Sequence, residues 1–121
     1  MSPTHFRFED LAIWKSGMAL SIHLFKICAD LDARKQYSFS DQLRRATISI
    51  TNNIAEGSGS NSKKDFCHFL NIAKRSVFEC ANLSILLDQQ GLISKESRIF
   101  LFQELDTLSR KITNFQKSLQ Q

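Results

Sequence analysis

Gln42-Leu43-Arg44-Arg45-Ala46-Thr47-Ile48-Ser49-Ile50-Thr51-Asn52-Asn53-Ile54-Ala55-Glu56-Gly57 decides the fold. Leu43, Thr47, Ile50 and Ile54 recur at steps of three and four, which places them on one face of an α-helix. Arg45, Ser49, Asn52 and Glu56 fall on the opposite face, and Arg44, Ile48, Thr51 and Ala55 share a flank. No proline interrupts the run. Gly57 stands where the pattern stops, and Gly57 or Gly59 suits the left-handed position that closes many helices. The stretch reads as an amphipathic helix over about 40–57, with Ser40 as its N-cap and an arginine pair near its start.

Three more helices flank it. Upstream, beyond a connection over 32–39, a helix is expected over about 9–31, with acidic Glu9 and Asp10 at the positive end of its dipole. It carries two apolar stripes. One is Leu11, Trp14, Met18, Ile22, Phe25 and Ala29; the other is Ile13, Leu20, Leu24, Ile27 and Leu31. They lie on nearly opposite sides, separated by a narrow polar strip of Lys15, His23, Lys26 and Asp30. One bundle core cannot satisfy both stripes. One should face the other helices and one a second copy of the chain, and Ile13, Leu20, Leu24, Ile27 and Leu31 are assigned to the oligomer interface.

Downstream, Gly57-Ser58-Gly59-Ser60-Asn61 is a short turn, and Ser62 with Asp65 forms a capping-box-like pair. A third helix follows over about 62–90, with Phe66, Leu70, Ala73, Val77, Cys80, Ser84 and Leu87 facing the core, and it stops at Gly91. Ser94 caps a fourth over about 94–119. Its Leu101, Phe102, Leu105, Leu108, Ile112, Phe115 and Leu119 follow the near-heptad spacing of left-handed bundle packing. The expected architecture is all-α, an antiparallel up-down-up-down four-helix bundle in a single domain over residues 1–121.

Composition agrees. The 121 residues include one proline, four glycines and ten phenylalanines, which permits long helices and argues against a turn-rich β-sandwich. The first ten residues lack an apolar segment of the secretory type, and apolar runs stop at about four residues, far short of a membrane span. A cytoplasmic setting is expected, without a membrane. Cys28, Cys67 and Cys80 form no CxxC spacing and read as small apolar groups rather than as a disulfide or zinc framework.

Net charge is +4 and the isoelectric point about 9.2. Clustered cations neutralise phosphates and release counterions, so RNA or DNA is one expected partner; the other reading of the same charge is a solvated lysine-rich surface. The candidate phosphate contacts are Arg44, Arg45, Lys63, Lys64, Lys74 and Arg75. Arg44 and Arg45 point ~100° apart on a helix, so a salt bridge for the flanking arginine competes with phosphate contact. Lys63 and Lys64 open the third helix, where free backbone N–H groups favour anions, but the Walker spacing GxxxxGK[ST] is absent. Lys64, His68, Asn71 and Arg75 form one outward strip with Lys74 beside it. That strip carries no interleaved aromatic residues, so backbone readout is expected rather than base stacking. Glu79 lies one turn from Arg75, an i,i+4 pair. The scattered histidines form no metal set, no paired acid–base residues appear, and neither enzyme activity nor a cofactor is expected. A protein-interaction scaffold that uses the spare apolar faces is the alternative.

Three segments carry a family resemblance: Phe8-Glu9-Asp10-Leu11-Ala12-Ile13-Trp14-Lys15, Gln42 through Gly57, and Ser62 through Ala73 followed by Ser76, Glu79 and Cys80. In that order and spacing the chain resembles the four-helix-bundle family encoded by intervening sequences in bacterial 23S ribosomal RNA genes, a family related to the accessory protein of diversity-generating retroelements. The resemblance implies an up-down-up-down bundle, a ring-shaped homo-oligomer, taken as a pentamer, and a basic oligomer surface. Thr51 stands where the family often has proline, and Arg75 where it often has glycine.

Overall fold

The computed structural model describes residues 4–121. Met1, Ser2 and Pro3 lie outside the described residues, and with them part of the N-terminal reading. A short 3-10 turn over Arg7–Asp10 precedes four helices: α1 Ala12–Ala33, α2 Tyr37–Ser58, α3 Lys63–Gln89 and α4 Lys95–Leu119. Short turns reverse the chain each time, and helices adjacent in sequence pack side by side, α2 on α3 most extensively and α1 on α4 least. The architecture is the expected antiparallel four-helix bundle, with no strand among the described residues.

The core is aliphatic. Leu24, Leu31, Leu43, Ile50, Ile54, Leu70, Val77, Leu87, Leu101, Leu105, Leu108 and Ile112 are all below 2% exposed or close to it. Removing such side chains from water is the main driving term, about 1.5–3 kcal/mol each. The buried hydroxyls add no unpaired polar groups there, because Ser21, Thr47 and Ser84 each donate back to a carbonyl one turn earlier, Gly17, Leu43 and Cys80 respectively. Ser76 Oγ reaches across from α3 to Ser49 Oγ at 2.7 Å, a polar tie between the two central helices.

The two stripes of α1 are the reverse of the expected assignment. Ile13, Leu20, Leu24 and Leu31 are buried in the bundle core, and Ile27 packs against it half-buried. They cannot also meet another subunit. Met18, Ile22 and Phe25 are the exposed set, at 42%, 57% and 40%. The core stripe runs beside Gly17, Ser21 and Cys28, all buried, so the face that enters the bundle is broad and includes small residues that let α2 approach.

The helix ends show three further differences. Glu9 and Asp10 belong to the separate 3-10 turn, and Leu11, in extended conformation, precedes α1. Ser40 is not a cap. α2 starts at Tyr37, and Ser40 is buried in its first turns, where its hydroxyl donates to Asp32. Gly57 is inside α2 and Gly59 has φ −86, so neither closes that helix in the left-handed region. Gly57 serves close approach instead: a Cβ there would lie 2.8 Å from both Phe66 Cδ1 and Phe69 Cβ of α3. The left-handed positions are Lys35 (φ 60) and Gly91 (φ 72). After each, the next amide bonds back to a helix carbonyl, Gln36 N to Leu31 O and Leu92 N to Leu87 O, both at 2.8 Å. This is the Schellman closure. Ser62 and Ser94 cap α3 and α4, accepting from Asp65 N and Ser97 N at 3.0 Å.

Candidate nucleic-acid interface

The six candidate cations divide by environment. Arg44 is tied down: its Nη2 lies 2.7 Å from Asp32 Oδ2, and Nη1 lies 3.6 Å from Asp41 Oδ1. The hydroxyl of Ser40 donates to the other Asp32 oxygen. These two bonds, Ser40 first and Arg44 second, hold the Asp32 carboxyl below its ordinary range, and the same carboxylate raises Arg44. The salt-bridge alternative holds for this arginine.

Lys74 is half-committed. Its Nζ donates to Thr113 Oγ1 and Gln116 Oε1, each at 3.2 Å, and so pins α3 to α4. One of its three protons remains. Arg45, Lys63, Lys64 and Arg75 are exposed, and no salt bridge among the described residues engages them. Lys63 and Lys64 sit where α3 begins, beside the end of α4 at Leu119 and Gln120. Arg75 is three helical turns further along. Arg45 is on the outward side of α2, away from the flank that faces α1.

The structure does not bring all six to one point. It leaves four on the outer side of α2 and α3 and takes two into helix–helix seams. Glu79 does not pair with Arg75; its carboxylate accepts from the Gln42 amide of α2. Glu56 is exposed and, among the described residues, unpaired.

Two features escaped the sequence reading. Phe78 is 65% exposed on the outer face of α3, three residues after Arg75 and four after Lys74, so the basic strip does carry an aromatic ring. Phe78 stands outside the stripe of Phe66, Leu70, Val77 and Leu87, but only the packing of α4 shows that it is left uncovered. Arg7 is the second feature. Its guanidinium donates to Ser58 O at 3.3 Å and lies 5.2 Å over the Phe66 ring, satisfying a carbonyl at the C-terminal end of α2 with a cation that suits the helix dipole.

The thiols are unpaired, with Cys28 and Cys80 buried and Cys67 half-buried. Burial raises the Cys28 thiol and pushes Cys80 up to about 12. No group of three or more His, Cys, Asp and Glu among the described residues could hold a metal ion, and no described helix is long and apolar enough to cross a membrane.

Comparison with known proteins places this geometry in a family. The chain is similar over 88% of its length, and 99% of the other chain, to a crystal structure of a protein of unknown function from the S23 ribosomal protein family of Bacteroides thetaiotaomicron VPI-5482. The TM-score is 0.83 and the sequence identity 21%, a likeness of fold. No curated protein matches the chain. The family model for the 23S rRNA-intervening sequence protein matches residues 9–114, most of the chain, and the chain therefore belongs to the 23S rRNA-intervening sequence protein family.

Proposed function

We propose that this protein is a non-enzymatic homo-oligomeric bundle that binds RNA or DNA through backbone phosphates. The observation that carries the reading is the set of four exposed cations, Arg45, Lys63, Lys64 and Arg75, without acidic partners among the described residues. Phosphates are the partners that such cations lack, and their neutralisation releases counterions. Arg44 is engaged by Asp32 and contributes to the scaffold instead, and Lys74 is half-committed to the α3–α4 seam with one proton left over. Cys28 and Cys80, buried and with raised thiols, serve as small core groups rather than as nucleophiles. A cytoplasmic setting fits three unpaired cysteines.

Assembly, taken as a pentamer, is assigned to the outer face shared by α1 and α2. Met18, Ile22 and Phe25 are exposed there, and Ile48 is 48% exposed on the α2 flank that turns toward α1. Contiguous exposed apolar side chains of this kind mark interaction surfaces.

The test is retention of a structured RNA or DNA duplex across a salt series. Four phosphate contacts per protomer give a log–log slope of about −3.6, and Arg45→Gln or Arg75→Gln each shallows it by about 0.9. Arg44→Gln leaves the slope unchanged. Absence of retention at low salt rejects the reading. The same apolar face favours a second reading, a scaffold that docks a partner protein without nucleic acid. A partner captured equally with and without nuclease treatment selects it.

A further inference from the structure

Phe78 has the largest exposure of any bulky apolar side chain described, 65%. Beside it, along the seam of α3 and α4, runs a pocket of about 180 Å³ lined by Val77, Ala81, Phe102, Leu105, Asp106 and Ser109. That is smaller than the clefts of about 300–1,000 Å³ that take drug-sized ligands, and it suits one flat ring system. The floor is apolar. The wall offers a hydroxyl at Ser109 and a carboxylate at Asp106, whose Oδ2 accepts from Arg110 Nε at 2.9 Å.

Apart from Asp106, which is paired with Arg110, the charges nearby are cationic. Arg75 and Lys74 precede Phe78 by three and four residues, one helical turn or about 5.4 Å along the axis. Arg75 is exposed and Lys74 retains one proton beyond its bonds to Thr113 and Gln116. An uncharged apolar side chain from another protein would cover the ring and leave these cations without an anion. A duplex would satisfy the cations, but its bases are stacked and could not reach the pocket. A flat aromatic ring joined to an anion through a short linker satisfies both.

We propose that the Phe78 pocket takes an unpaired nucleobase of single-stranded nucleic acid, its ring stacked on Phe78 and its phosphate on Arg75 and Lys74. Asp106 and Ser109 accept hydrogen bonds from the base edge. The proposal rests on the phosphate-binding reading above and sharpens it, because it makes single strands the preferred partner. Ring stacking of this type tolerates any base, so little sequence preference accompanies it.

Fluorescence anisotropy with the full chain tests it, using labelled single-stranded RNA, single-stranded DNA and duplex DNA of about 16 nucleotides per strand. Wild type binds single strands more tightly than duplex, and the RNA and DNA arms show whether the ribose matters. Phe78→Ala weakens single-strand binding by about tenfold or more and leaves duplex binding within about twofold. Phe78→Tyr keeps the stacking face and the affinity, whereas Arg75→Gln weakens both kinds of strand. Equal loss on single strands and duplex, or no loss on either, overturns the base pocket. So does a change of oligomeric state in Phe78→Ala by light scattering, which would assign the ring to a contact between copies. Duplex binding without a single-strand advantage removes the pocket and leaves the phosphate reading standing; no binding of any strand at low salt removes both.

Discussion

Asp32 Oδ2 lies 2.7 Å from Arg44 Nη2, so the carboxylate at the end of α1 holds a guanidinium two turns into α2 and fixes the first hairpin. Ser40 donates to the same carboxylate. Because the folded-state carboxyl titrates below its ordinary value of 3.8, its contribution is fully present above that value and is lost as pH falls below it. Thermal unfolding between about pH 5 and pH 3 measures this. Asp32→Asn should start less stable at the higher pH and lose less on acidification. Equal acid sensitivity in the two proteins would remove Asp32 from the account.

The outer face of α1 gives a paired prediction. Ile22 is 57% exposed and Leu24 is 0% exposed. Ile22→Lys should lower the oligomer mass in light scattering while changing stability by no more than about 0.5 kcal/mol in the dissociated protomer. Leu24→Lys buries an unpaired charge and should unfold the chain, seen as loss of helical circular dichroism. A monodisperse wild-type monomer would contradict the proposed use of Met18, Ile22, Phe25 and Ile48.

Gly57 faces α3 at close approach. A methyl group there meets Phe66 Cδ1 and Phe69 Cβ at 2.8 Å. The Phe66 ring is itself pinned under Arg7, and Phe69 Cβ moves only with its backbone. Gly57→Ala should cost about 1–3 kcal/mol, the usual range for overpacking, as a lower urea midpoint with an unchanged slope.

Lys35 pays for its left-handed backbone, φ 60, without the freedom of glycine. Lys35→Gly relieves that strain while losing some unfolded-state restriction, for a net gain of about 0.5–1 kcal/mol. The same substitution leaves nucleic-acid retention unchanged, since Lys35 is at the opposite end of the bundle from Lys63. A melting temperature equal to or below that of wild type would refute it.

Helix periodicity was enough to recognise the four helices, because steps of three and four in Leu43, Thr47, Ile50 and Ile54 have no alternative in a strand. It could not decide which stripe of α1 enters the core, because both are apolar. Two signs pointed to the correct one. Gly17, Ser21 and Cys28 widen the stripe of Ile13, Leu20 and Leu24, and that stripe lies farther from the charged strip of Lys15, Lys26 and Asp30. Ser40 looked like a cap because caps are short polar residues before an apolar run. Its tertiary bond to Asp32, which joins residues eight apart, has no local signature. The candidate site was legible as a list of cations but not as a sorting of them. That Arg44 is engaged and Arg45 is not depends on where Asp32 ends its helix, and the exposure of Phe78 depends on how α4 crosses α3.

The thin contact between α1 and α4 has a consequence for how the chain reaches this form. Every extensive helix–helix contact joins neighbours in sequence, so most of the core can assemble without closing a long loop, and the entropic barrier to folding stays low. The last seam to form joins the two ends of the chain. There Lys111 Nζ reaches Ser16 Oγ at 3.2 Å and the ring of His23 meets that of Phe100 edge-on at 5.0 Å. Such a polar, shallow closure stores little free energy, and local opening should begin there, with α1 and α4 parting before the inner pair of helices exchanges its amide protons.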